Sequence, residues 1–80
     1  METRVELHNK ALSLLSLIKA AEDQRTEMLR YNVEVAEPSG LETWTDEELE
    51  FKCRVITRLE RSYSNVIKEL LKRTTDEMYS

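Results

Sequence analysis

Six polar side chains in the second half of the chain stand at successive spacings of four, three, four, three and four: Arg54, Arg58, Arg61, Asn65, Lys68 and Lys72. On an α-helix such spacings draw one lengthwise row, so five cations share a face. A row of this kind suits an acidic protein surface or nucleic-acid phosphates, and it is equally the pattern of a solvated outer face. Nothing else in the sequence converges in the same way. His8 is the only histidine and Cys53 the only cysteine. A metal centre would need ligands from other chains, and no Glu-x-x-His pair of the di-iron bundle kind occurs. Cys53 as a nucleophile would need a base, and His8 is expected toward the far end of the molecule. A single Gly leaves no phosphate-cradling loop and no nucleophile elbow. No catalytic, cofactor-binding or metal-binding residue is therefore assigned. The chain reads as non-enzymatic.

Cap signals bound the elements that carry these residues. Thr3-Arg4-Val5-Glu6 and Thr45-Asp46-Glu47-Glu48 both have the Ser/Thr-x-x-Glu spacing of a capping box. Asp46, Glu47 and Glu48 put carboxylates in a first helical turn, where they complement the helix dipole. Trp44 and Leu49 occupy the positions of a hydrophobic staple. Apolar residues recur at helical spacing from Leu7 to Met28 and from Leu49 to Leu70. The expected elements are a helix over about residues 3–35, a Pro/Gly-marked loop over about 36–45, and a helix over about 46–75. One Gly, one Pro and 35% charged residues argue against an all-β chain. Residues 1–80 thus read as one all-α unit, an antiparallel hairpin of two long helices.

The apolar arcs of both helices are expected to be wide, roughly 160° each at 100° per residue. A two-stranded contact uses a narrower, coiled-coil-like seam. Leu14, Leu15, Ile18, Ile56, Leu59, Tyr63, Ile67 and Leu70 are accordingly assigned to an oligomer interface. A homodimer forming a four-helix bundle, or pairing with another helical protein, is the expected assembly. Arg25 falls inside the first arc, and it is expected level with Val55, within reach of Glu60, as a half-buried pair that fixes register. Lys52, inside the second arc, is expected to extend its ammonium group to solvent. Tyr31, Tyr63 and Tyr79 read as packing groups.

Charge is unevenly distributed. Residues 1–50 hold 12 acids and five bases, residues 51–75 seven bases and two acids, and Asp76 and Glu77 complete the net charge of −4. The expected function is a protein–protein interaction, scaffolding or regulatory module that shows Arg54, Arg58, Arg61, Lys68 and Lys72 outward. The alternative is a small nucleic-acid-binding accessory protein using the same row on phosphates. An acidic chain without a row of aromatics for base stacking disfavours that alternative. An enzyme acting on an anionic substrate would need cations converging inside the bundle, and only Arg25 and Lys52 approach it. The apolar run Ala11–Ile18 lacks the basic flank of a signal peptide and is too short to span a membrane. With one Cys and no glycosylation acceptor, an intracellular, cytoplasmic location is expected.

Overall fold

The structure, a computed structural model, describes residues 2–79. Helix α1 spans Arg4–Tyr31, a wider π-helical turn follows over Asn32–Ala36, and a short α-helical turn, α2, covers Glu37–Ser39. Residues 40–45 connect to α3, Asp46–Tyr79. Among the described residues there is no strand. The long helices pack against each other as a hairpin measuring 64 × 18 × 17 Å.

The threonine half of each capping box forms as the spacing predicts. The Glu6 amide donates to Thr3 Oγ1 at 3.1 Å, and the Glu48 amide donates to Thr45 Oγ1 at 3.2 Å. At Thr45 the carboxylate of Glu48 also accepts the threonine hydroxyl, at 3.1 Å. These contacts satisfy amides that a helix start leaves without intrahelical partners.

The end of the first helical stretch differs from the expectation. Winding does not stop at residue 35 but continues through Pro38 to Ser39, which shortens the connection to residues 40–45. Proline inside an α-helix removes an amide donor and its ring crowds the carbonyl four residues back. Here the backbone widens just before it, and the Glu37 amide bonds the Asn32 carbonyl five residues back. A π turn of this kind is a recognised way to interrupt α-winding locally without ending the helix. Gly40 then stops the chain at φ 68°. Its amide bonds the Glu37 carbonyl, and the Leu41 amide bonds the Ala36 carbonyl at 2.9 Å. Together these bonds form a Schellman ending, in which glycine takes the left-handed position.

Helix α3 also runs further than the expected residue 75. Thr74 and Thr75 fit that extension by donating their hydroxyls to the carbonyls of Leu70 and Leu71. At the open end, Arg73 donates from Nε to Glu69 at 3.0 Å and from Nη1 to the Glu2 carbonyl. The second bond ties the chain's beginning to α3.

The core is thin. Buried apolar residues are Leu7, Ala11, Ile18, Ala21, Met28 and Ala36 on the first stretch, with Ile56 and Val66 on α3. Three of these eight are alanines, so little side-chain volume is enclosed. Near the open end Leu7, Ala11 and Val66 cluster, flanked by Leu14, Tyr63, Ile67 and Leu70. The radius of gyration is 18.3 Å, against about 12 Å for a compact chain of this length. The molecule is a rod two helices thick.

Candidate functional site

Arg54, Arg58, Arg61, Lys68 and Lys72 are all exposed along α3. Their row lies opposite the side holding Ile56 and Val66, which α1 covers. Glu50 and Asp76, positioned four residues from Arg54 and Lys72, form no ion pair with them. The ion pairs among the described residues instead join Lys10 to Glu2, Arg30 to Glu27 and Arg73 to Glu69. Five cations are thus presented to solvent with no ion pair among the described residues.

The residues assigned to an oligomer interface occupy different environments. Ile18 and Ile56 are buried between α1 and α3. Leu14, Leu59, Tyr63, Ile67 and Leu70 are half-buried along the same contact, and Leu15 is exposed. Much apolar surface lies elsewhere. Val5, Leu12, Leu15, Leu17 and Leu29 are exposed on α1, Val33, Val35, Leu41 and Trp44 around the turn, and Phe51 and Leu71 on α3. The exposed set is larger in number and bulk than the buried one.

Two polar bridges cross the hairpin where the sequence placed Arg25 and Lys52 inside apolar arcs. Lys52 Nζ donates to Gln24 Oε1 at 2.7 Å rather than reaching solvent unaided. Arg25 Nη1 donates to Cys53 Sγ at 3.4 Å, and Glu60 is not its partner. The pairing is displaced by two residues from the expected level at Val55. The hydrogen bond and charge of Cys53 hold the Arg25 guanidinium above its usual pKa, burial opposes them, and Glu22 adds a smaller upward effect. Arg25 therefore stays cationic wherever the chain folds. Its Nε is buried without a hydrogen-bond partner, a state that is costly for a polar group. An unbranched apolar side chain should relieve that cost. Arg25→Met is expected to unfold at a higher temperature than the parent. A lower midpoint in a thermal melt would show that the thiol contact outweighs the orphaned donor.

Asn32 is a structural residue that the sequence reading did not single out. Its side-chain amide donates to the Trp44 carbonyl at 2.9 Å and accepts the Trp44 amide at 2.7 Å. Both backbone polar groups of Trp44 are satisfied by this one side chain, which fastens the connection to the end of α1. Trp44 lines an open cavity of about 620 Å³ together with Glu27, Met28, Tyr31, Glu42, Thr43 and Glu48. A smaller hollow of about 310 Å³, also lined by Trp44, has Met28, Glu47, Phe51 and Lys52 in its walls. The pairing of Asn32 with Trp44 has no periodic signature, so only the fold reveals it.

His8 is exposed in the second turn of α1 and Cys53 is half-buried in the second turn of α3. In an antiparallel hairpin these positions fall at opposite ends. No group of three or more metal-capable side chains is found among the described residues. No described helix is long and apolar enough to cross a membrane. No protein-family model, curated protein or solved structure matches this chain.

Proposed function

We propose that the chain is a non-enzymatic interaction module, a scaffold or regulator, whose exposed apolar helical surface is completed by a second helical chain. A second copy of itself is the partner this reading selects. The observation that carries it is the balance of burial: among the described residues, eleven large apolar side chains are exposed against eight buried residues, three of them alanines. Water-exposed area supports the same reading. The chain exposes 6442 Å² at 9.5 kDa, where a compact monomer of that mass exposes about 5,000 Å². The excess, about 1,400 Å², is larger than the roughly 800 Å² that each partner contributes to a standard interface.

Assembly makes folding depend on concentration, since a partner that binds only the folded chain stabilises it by mass action. The thermal midpoint is expected to climb measurably as protein concentration is raised a hundredfold. An unchanged midpoint would remove self-assembly as the source of stability.

A second reading draws on the five unpaired cations of α3. Nucleic-acid phosphates on that row would give binding that weakens as a power of salt concentration. Gel-shift at 50 mM salt, with Arg58→Glu/Arg61→Glu as the comparison, tests it. Binding lost in the double variant would support the phosphate role, and no binding by the parent would end it.

A further inference from the structure

Helix α1 carries a second lengthwise row, outside its contact with α3. Val5, Leu12, Leu15, Lys19, Glu22 and Leu29 fall on it, with His8 and Thr26 filling its two remaining places. The successive steps alternate between three and four residues, which is the spacing of a coiled-coil seam. At 100° per residue the row lies roughly 80° around the helix from the Leu7, Ala11 and Ile18 line that packs on α3. Every member is exposed: Val5 by 69%, Leu12 by 53%, Leu15 by 44% and Leu29 by 46%. The middle of the row is charged. Lys19 and Glu22 are adjacent along it, and neither belongs to an ion pair among the described residues.

We propose that this seam receives a second copy of the chain in antiparallel orientation, about a twofold axis passing between Lys19 and Glu22. This rests on the self-assembly reading above and names the face that performs it. The charge order selects the orientation. Antiparallel pairing about that axis sets Lys19 against the partner's Glu22, Leu12 against the partner's Leu29, and Leu15 against the partner's Thr26. Parallel pairing in register would instead stack Lys19 on Lys19 and Glu22 on Glu22, an arrangement that like-charge repulsion disfavours. The angle between the two faces of α1 also fits. In a four-helix bundle each helix touches two neighbours at about a right angle around its axis. Here α3 takes one side and the partner's α1 the other, and the basic row on the far side of α3 stays in solvent.

Charge reversal tests the seam at exposed positions that the hairpin itself does not use. Lys19→Glu sets two Glu–Glu contacts in place of two Lys–Glu contacts, and is expected to raise the dimer dissociation constant at least about tenfold. Adding Glu22→Lys in the same chain restores opposite charges across the axis and should restore the dimer. Leu12→Glu, which sets a carboxylate against apolar Leu29, should weaken the dimer more than Lys19→Glu does. Sedimentation velocity reads the dissociation constant, and circular dichroism confirms that each variant remains helical. A parent dimer unaffected by all three changes would overturn the seam and leave self-assembly standing on another face. A dimer weakened by Leu12→Glu but indifferent to Lys19→Glu would overturn the antiparallel order. A parent that is monomeric throughout would overturn both this proposal and the reading beneath it.

Discussion

Replacing Ile56 by Ala is expected to cost about 2–4 kcal/mol of stability, the usual range for emptying a large buried aliphatic site. Ile56 is 6% exposed, and among the described residues of α3 only Val66 is comparably buried. The opposing surface is supplied by α1, whose buried positions near that level include Ala21. Alanines have no rotamers with which to refill a cavity, so the site should relax little. A chain of 80 residues has a total stability of roughly 4–12 kcal/mol at ordinary values per residue. This single change therefore removes a large share of it. Chemical denaturation at fixed protein concentration measures the effect. A loss below about 1 kcal/mol would mean that the α1–α3 contact is not where the hairpin's stability resides.

Gly40→Val comes second, with an expected cost of about 1–2 kcal/mol. Space is not the obstacle, because nothing lies within 4 Å of the position a Cβ would take. The backbone is. At φ 68° a β-branched residue is a conformational outlier, whereas glycine enters the left-handed region freely. Two hydrogen bonds depend on that conformation, from the Gly40 amide to Glu37 and from the Leu41 amide to Ala36. Gly40→Ala should show a milder loss than Gly40→Val, since its single methyl lacks the branched crowding. Equal stability for valine and glycine would show that the helix ends elsewhere in solution.

What could be read without coordinates was what depends on neighbours in the chain. Thr3 and Thr45 announce helix starts because capping needs only residues three apart. The hairpin follows from two apolar repeats with a short break between them, and the outward row of Arg54, Arg58, Arg61, Lys68 and Lys72 follows from spacing alone. The errors arose where two tendencies competed. Pro38 disfavours α-winding, yet the π turn over Asn32–Ala36 lets the chain keep coiling until Gly40. Across the hairpin, Arg25 meets Cys53 instead of approaching Glu60. The Asn32 clamp on Trp44 joins residues twelve apart through side-chain geometry, which no periodicity encodes. The width of the apolar arcs was legible, but not its division. Among the described residues, α3 leaves only Phe51 and Leu71 of its large apolar side chains exposed, whereas α1 leaves five.

That asymmetry makes mass in solution the most direct check on the central claim. Light scattering on the eluting peak of a size-exclusion column, at micromolar concentration, should give twice the 9.5 kDa of a single chain. A folded, helical species of 9.5 kDa across that range would contradict the claim, because the outer face of α1 would then be stable in water uncovered.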